Sequence, residues 1–221
     1  PYVLLRIYYY LIYVPYLPCI TSLYSNIYRK ARENFRVSGG LLAFIYTSME
    51  VVKYSIEDYK IVNKRLLKSI RKVVQIKNPD DPKSFNGKTD FAKQNSLDYA
   101  KEFVPIILPK LKEFLFYKSH TKILVKNAWF QYYDKEQHHS WHTHQNCMFS
   151  GVYFIELPSN MATEFYDTEN KKLYKPKCKV GDLLVFPSGT LHRSTPNISN
   201  KRKTVISFNF DISDAVDPLG I

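Results

Sequence analysis

The periodicity of the sequence changes near Thr121, and this change constrains the fold more than any other feature. Before it, apolar residues recur at helical spacing, first over residues 61–74 and again from about Asp90 to Tyr117. After it come short runs rich in Val, Ile, Leu, Phe and Tyr, separated by turn residues. These runs are Lys122–Tyr133, Met148–Leu157, Leu183–Phe186 and Thr204–Phe210. Helices followed by strands with no helix between them predict an α+β, mainly β chain with an antiparallel jelly-roll or cupin-like core.

Local signals predict where the helices begin and break. Ser55 with a carboxylate three residues later, Asp58, predicts a capped helix start. Pro105 and Pro109 predict that the second helix is kinked or divided. The three cysteines form no CxxC pair, and we interpret Cys147 as a packed strand residue rather than a metal ligand or reactive thiol. This cysteine usage is typical of a reducing, cytoplasmic setting.

The first 48 residues differ in composition from the rest of the chain, since they hold nine of the eighteen tyrosines. The run Tyr2–Ile20 is apolar enough to suggest a membrane anchor, but Arg6 and two prolines interrupt it. We therefore expect no membrane partner unless this run belongs to the native protein. Our hypothesis is that residues 1–48 are an atypical extension and that the folded protein starts near Met49. Residues 49–221 are then a single domain with two parts, a helical lead-in (55–118) and a jelly-roll core (120–212).

The chain carries 32 Lys and Arg against 20 Asp and Glu, which gives a formal net charge of +12. This excess favours an acidic partner, and five lysines between residues 171 and 179 lie beside the predicted strands. Lysines also protect sheet edges from pairing, and no stacking platform for single-stranded nucleic acid is evident. The charge therefore leaves protein, nucleotide and small-molecule substrates open, with nucleic acid as a weaker candidate partner.

Four of the six histidines lie between residues 138 and 144. Residues two apart on an extended strand share a face, so His142 and His144 can converge on one metal ion. His192, after another strand, is the natural third ligand. Imidazole suits Fe, Zn, Cu or Ni, and three protein ligands with open positions are typical of a catalytic site. Clustered histidines are otherwise surface or core residues, and we expect His138 and His139 beside the ligands or at the entrance.

Arg202 and Thr204 lie on the same face of the last predicted strand. A guanidinium fork next to a hydroxyl suits a carboxylate. Near a metal ion, this pair predicts an anchor for an acidic cosubstrate.

Taken together, these motifs resemble the 2-oxoglutarate/Fe(II)-dependent oxygenases of marine phages and bacteria. The resemblance covers residues 120–212 and rests on Trp141–Asn146, Ser150–Phe154, Pro176, Gly181-Asp182, Phe186–Ser188, His192 and Arg202–Thr204. It implies a double-stranded β-helix in which His142 and His192 bind iron. It also implies that Arg202 and Thr204 hold the distal carboxylate of 2-oxoglutarate.

The sequence departs from the wider superfamily at the third ligand, where His144 replaces an Asp or Glu. We expect His144 to be the ligand because it has the right spacing. A carboxylate from elsewhere in the chain is the alternative, and the candidates are Asp134, Glu136 and Glu164. A three-histidine site carries one negative charge less, which alters iron affinity and redox properties.

The resemblance implies a non-haem dioxygenase that uses Fe(II), 2-oxoglutarate and O2. It would hydroxylate an unidentified substrate and release succinate and CO2, in the cytoplasm of a bacterium or a phage-infected host cell. Tyr132, Tyr133, Asn146 and Tyr153 are candidates to line its pocket. One alternative is a non-catalytic jelly-roll binding module, because a fold does not establish a function. Another is a three-histidine cupin dioxygenase without a cosubstrate, which leaves the Arg202 and Thr204 pair without a role.

Overall fold

The computed structural model describes residues 50–73, 76–77, 84–91, 98–118, 120–158 and 161–214. The proposed extension of residues 1–48 lies outside these ranges. The described residues form two helices and a succession of strands. In chain order the elements are β1 (Val52–Ser55), α1 (Tyr59–Ile70), β2 (Ile76–Lys77), β3 (Lys88–Thr89), α2 (Asp98–Tyr117), β4 (Lys122–Tyr133), β5 (His139–His142), β6 (Phe149–Glu156), β7 (Thr163–Asp167), β8 (Lys172–Tyr174), β9 (Asp182–Pro187), β10 (Leu191–Ser194) and β11 (Lys203–Ser213).

The strands form two antiparallel sheets. The larger sheet has the order β1-β9-β6-β11-β4-β3-β2, and the smaller has the order β5-β10-β7-β8. Phe165 of the small sheet packs against Phe186 of the large sheet with ring centroids 4.9 Å apart, so the inner faces of the two sheets meet in a shared core. Two antiparallel sheets packed in this way confirm the predicted jelly-roll core preceded by helices.

The large sheet separates two apolar clusters. On its outer face, Ile206, Phe208 and Phe210 of β11 pack with residues of α1 and α2. On its inner face, Val205 of the same strand packs between the sheets. Alternation along β11 therefore decides which of its side chains meet the helices and which face the interior of the sandwich.

The four predicted strand runs are all present, with β4 as predicted from Lys122 to Tyr133. The predicted helix start at Ser55 is wrong, because Ser55 ends β1, which pairs with β9. Its hydroxyl donates to Asp182 at 2.7 Å instead of capping a helix. The helix begins at Tyr59, after Asp58 in a left-handed conformation with a φ of 52°.

Helix α2 contains Pro105 and Pro109 but is not divided by them. Both prolines are exposed, whereas Phe103 and Ile107 on the other face are fully buried. A proline removes a backbone hydrogen bond, and on the solvent side water can satisfy the carbonyl that is left over. The prolines are therefore accommodated in one continuous helix.

Neither α1 nor α2, the helices of the described part of the chain, is long and apolar enough to cross a membrane.

Candidate metal centre

Three histidines meet at one point between the sheets. His142 on β5 and His192 on β10 are direct partners in the antiparallel register, with ring centroids 4.2 Å apart. His144 lies beyond the end of β5, where its backbone N–H donates to the carbonyl of Ser188 at 2.9 Å. One ring nitrogen from each histidine lies within 4.8 Å of the others. The predicted convergence of these residues is present, although His144 is placed by a loop contact rather than by strand alternation.

Each of the three rings has an outer hydrogen-bond partner. The Nδ1–H of His142 donates to the carbonyl of Ser140 at 2.7 Å, and that of His192 donates to the carbonyl of Thr190 at 2.8 Å. A carbonyl oxygen can only accept, so both rings carry their proton on Nδ1 and present Nε2 as a lone pair. The His144 ring is hydrogen-bonded by the side chain of Asn209. Outer partners of this kind orient metal ligands.

The three imidazoles are neutral at neutral pH. Burial lowers the pKa of His142, and it lowers the pKa of His144 to about 4. Burial and the neighbouring His142 hold the pKa of His192 well below its usual range. Because a metal ion requires deprotonated ligands, the donor set is ready to accept one. Three convergent, neutral and oriented imidazoles fit Fe(II), and they also fit Zn(II).

Within the described ranges, no carboxylate joins this histidine cluster. Asp134 pairs with Arg202 at 2.9 Å. Glu164 pairs with Arg193 at 2.8 Å and with Lys175 at 2.5 Å, and Glu136 is exposed. The alternative in which a carboxylate completes the ligand set thus finds no support in the placement of these three side chains.

An inner pocket leads from the histidines to Lys203. Its other polar lining side chains include Gln131, Tyr133, Thr163, Ser194 and Ser207.

Lys203 is only 1% exposed, and its Nζ donates to the hydroxyl of Ser194 at 2.8 Å. The ammonium also lies 5.3 Å from the centre of the Tyr133 ring. No carboxylate of the described residues forms a salt bridge with Lys203. Burial lowers the pKa of Lys203 to about 7. A buried amine without a salt-bridge partner suits an anionic ligand.

The predicted anchor residues Arg202 and Thr204 are not brought to this pocket. Arg202 pairs with Asp134 and lies 4.8 Å from the centre of the Tyr132 ring. The hydroxyl of Thr204 donates to Glu156. Successive residues of a strand point to opposite faces, so Lys203 faces the histidines and its two neighbours do not.

A sequence signal for this orientation exists. The apolar side of β11 is formed by Ile206, Phe208 and Phe210. Thr204 precedes Ile206 by two residues and therefore lies on the same side. The opposite side carries Lys203, Val205, Ser207 and Asn209, three of which are polar. A polar stripe on an otherwise apolar strand indicates the face that lines a site.

The candidate pocket tyrosines fall on different sides of the large sheet. Tyr133 lines the inner pocket. Tyr132 and Tyr153 belong to the cluster packed against the helices, where the Tyr153 hydroxyl donates to Asn63 at 2.7 Å. Asn146 lines a second, outer cavity.

The outer cavity has a volume of about 480 Å³ and shares His142 and His144 with the inner pocket. Three aromatic side chains and five carboxamides line it: Phe85, Phe91, Trp129, Asn127, Gln131, Gln145, Asn146 and Asn209. Its lysine, Lys126, is paired with Asp211 at 3.1 Å. Cys147 is also in the lining but outside the histidine cluster, and burial raises the pKa of its thiol. The cavity is thus largely neutral, with aromatic and amide surfaces.

No protein-family model and no curated protein sequence matches the chain. Solved structures do match it. A viral collagen prolyl hydroxylase from Paramecium bursaria Chlorella virus-1, in complex with 2-oxoglutarate, superposes with a TM-score of 0.51 at 18% identity, covering 74% of this chain and 96% of that one.

Two further solved structures share this fold. A prolyl hydroxylase from Trichoplax adhaerens, bound to a peptide fragment of the hypoxia-inducible factor, has a TM-score of 0.54 at 13% identity, covering 87% of this chain and 94% of that one. The non-haem α-ketoglutarate-dependent epimerase SnoN of nogalamycin biosynthesis has a TM-score of 0.60 at 10% identity, covering 77% and 80%. The chain therefore has the double-stranded β-helix fold found in the 2-oxoglutarate- and iron-dependent oxygenases.

Proposed function

We propose that the protein is a non-haem Fe(II)- and 2-oxoglutarate-dependent dioxygenase that hydroxylates its substrate and releases succinate and CO2. The observation that carries this proposal is one pocket with three neutral histidines and a buried Lys203 that forms no salt bridge with a described carboxylate. That combination suits a metal ion together with a ligand that carries a metal-binding end and a distal carboxylate.

His142, His144 and His192 would hold the iron. The iron, when bound, supplies the activation of O2. The outer partners of the three rings keep their lone pairs directed to one point, so that little reorganisation is needed when the metal binds. The aromatic residues around the pocket limit the access of water to the reacting groups.

Lys203, rather than Arg202, would bind the distal carboxylate of 2-oxoglutarate. Its Nζ is already oriented by the Ser194 hydroxyl and by the ring of Tyr133. A carboxylate entering the pocket would form a charge-assisted hydrogen bond with an amine that has no salt-bridge partner among the described residues. With this assignment the buried lysine has a role, whereas in a dioxygenase without a cosubstrate it would have none.

The substrate would occupy the outer cavity, which reaches two of the three histidines. Aromatic side chains such as Phe91 and Trp129 offer a flat apolar surface there, and the carboxamides offer hydrogen bonds. This lining suits an uncharged part of a protein, nucleotide or small molecule.

The test is the formation of succinate from 2-oxoglutarate by the purified chain with Fe(II) and ascorbate. The wild type should release succinate, whereas His192→Ala and Lys203→Met should not. Arg202→Met is the matched control, since it changes the neighbouring cation on the other face of β11, and it should retain turnover. Equal loss in Lys203→Met and Arg202→Met, or no dependence on 2-oxoglutarate in the wild type, contradicts the proposal.

A further inference from the structure

A fourth histidine, His139, lies at the junction of the inner pocket and the outer cavity and lines both. Its ring stacks on the ring of His142 with centroids 3.7 Å apart and planes inclined by 16°. The edge of Phe85 contacts it from another side, with centroids 5.1 Å apart. His139 is therefore held next to the metal end of the pocket, although it is outside the group of three convergent ligands.

A side-chain hydrogen-bond chain determines which nitrogen of His139 carries the proton. The hydroxyl of Ser207 donates to Gln131 Oε1 at 2.9 Å. This leaves the Gln131 carboxamide nitrogen directed at His139 Nδ1, 3.3 Å away. A carboxamide nitrogen can only donate, so Nδ1 accepts and the proton of the neutral ring is on Nε2.

The Nε2–H of His139 has no acceptor among the side chains and carbonyls of the described residues. Both Ser207 and Gln131 are buried, with exposures of 4% and 7%, so the chain that orients the ring is shielded from water. A donor oriented in this way beside a metal site is suited to an oxygen of a metal-bound ligand. The described residues thus supply the donor but no group to receive its hydrogen bond.

We propose that His139 contacts the keto-acid end of 2-oxoglutarate by donating from Nε2, and that Gln131 is a positioning residue that sets the tautomer of His139. The inference rests on the proposed function. It separates two tasks along the inner pocket: Lys203 binds the distal carboxylate, and His139 contacts the end nearest the metal. Its stacking on His142 places its ring at the histidine end of the inner pocket.

The first experiment reads the tautomer directly in the full-length, Zn(II)-loaded protein. Long-range ¹⁵N–¹H correlation spectra of the histidine rings distinguish a protonated Nε2 from a protonated Nδ1. We expect the Nε2–H form for His139 in the wild type. In Gln131→Glu the carboxylate can only accept, so the proton should move to Nδ1. An Nδ1–H tautomer in the wild type overturns the inference.

The second experiment measures 2-oxoglutarate binding to the same Zn(II)-loaded protein by calorimetry. His139→Phe keeps a flat ring to stack on His142 but removes the donor, and it should weaken binding about tenfold or more, the usual effect of losing a hydrogen bond to a charged group. His139→Gln keeps an N–H donor and should restore most of the affinity. Gln131→Glu should weaken binding as His139→Phe does.

His138→Phe is the matched control, because its side chain lines neither cavity. It should bind 2-oxoglutarate like the wild type. If His139→Phe also binds like the wild type, or if His139→Gln is as weak as His139→Phe, the donor role is excluded. If the wild type binds Zn(II) but no 2-oxoglutarate, the proposed function itself fails, and this result is distinct from either outcome for His139.

Discussion

At the scale of single residues, the absence of a carboxylate from the histidine cluster determines the charge of the site. With His144 in place of an acid, the three convergent histidines contribute no negative charge. A divalent metal, a dianionic cosubstrate and a protonated Lys203 would then leave one uncompensated positive charge in a buried pocket. Uncompensated buried charge is costly, so both the metal affinity and the protonation of Lys203 are sensitive to the identity of residue 144.

We predict that His144→Ala abolishes tight metal binding and that His144→Asp retains it. Losing an outer partner of a metal ligand already costs about 10- to 100-fold in affinity, so losing a ligand should cost at least as much. Asp supplies a charged oxygen at the same position and gives the two-histidine, one-carboxylate set that suits Fe(II). Titration with Co(II), followed by its visible absorption, measures both variants. If His144→Ala binds the metal as tightly as the wild type, the third ligand is instead a carboxylate, with Asp134, Glu136 and Glu164 as the candidates.

The depressed pKa of Lys203, about 7, predicts that 2-oxoglutarate binding takes up a proton. A dianion next to the amine favours its charged form and raises its pKa. Below the free pKa the lysine is already protonated, so binding requires almost no proton. Above it the proton must be taken from solution, so the affinity should fall by up to about tenfold per pH unit.

The measurement of this linkage is calorimetry of 2-oxoglutarate binding in two buffers with different ionisation enthalpies. Uptake should approach about one proton at pH ~8 and fall close to zero at pH ~6. Arg202→Met should behave like the wild type, because Arg202 is on the other face of β11 and paired with Asp134. Uptake that is zero at both pH values shows that Lys203 binds 2-oxoglutarate already charged or not at all.

The convergence of the three histidines could be predicted from the sequence, but the choice between Arg202 and Lys203 could not, because it requires knowing which residues of β11 face the helices. HxH spacing and a distant histidine are local patterns, and the structure brings His142, His144 and His192 together. Choosing between Arg202 and Lys203 depends on which face of the strand meets the helices. That is decided by the packing of Phe208 and Phe210 against α2, a contact between distant parts of the chain. The role proposed for His139 depends on its hydrogen-bond chain to Gln131 and Ser207, and no sequence motif connects these residues.

At the scale of elements, the centre of the large sheet depends on a close pairing of β6 with β11. Gly151 of β6 is the register partner of Phe208 of β11. A Cβ added to Gly151 would lie 2.2 Å from an atom of the Phe208 ring, closer than atoms can approach. The glycine therefore makes room for an aromatic ring that packs on Phe103 of α2. This pairing ties the helical layer to the sheet that carries Lys203.

We predict that Gly151→Ala destabilises the protein by about 1–3 kcal/mol, the usual cost of overpacking a core. For a chain of this size, each kcal/mol lowers the melting temperature by about 2–4 °C. Gly189→Ala is the matched control, since no atom lies within 4 Å of an added Cβ there. Thermal unfolding followed by circular dichroism compares the two variants.

Phe208→Leu provides a second variant for the same contact. In the Gly151→Ala background it should relieve the overlap, so the double variant should be more stable than the sum of the single effects indicates. Strict additivity, or equal melting temperatures for Gly151→Ala and Gly189→Ala, would show that the strands shift apart at little cost.

Long apolar strands were predictable, whereas the strands of the small sheet were not. β4 and β11 are rich in residues that favour strands and bury most of their length. β5 and β10 have only four residues each, with sequences HSWH and LHRS. They are strands because the pairing of His142 with His192 and the neighbouring β7 hold them, not because of local propensity. The same applies to β1, where pairing with β9 overrides the helix-capping signal at Ser55.

At the scale of the whole molecule, the described residues form two packed sheets and a layer of helices. The two sheets enclose the histidines, and α1 and α2 cover the outer face of the large sheet. Glu50 at the start of the described region pairs with Lys118, just after α2. The fold class was predictable from the change in periodicity at Thr121, since that pattern is set by the order of elements along the chain. The arrangement of the two sheets around the site depends on pairings between strands far apart in sequence.

We predict that residues 49–221 fold and bind metal without residues 1–48. The reason is that the core clusters, both cavities and the three convergent histidines are formed within residues 50–214. A metal ion that binds the native state but not the unfolded state stabilises the native state by mass action. Added Zn(II) should therefore raise the melting temperature of the shortened chain. The shift should equal that of the full-length chain and disappear in His192→Ala. A shortened chain that is insoluble, or that melts at the same temperature with and without Zn(II), would mean that residues 1–48 are part of the folded unit.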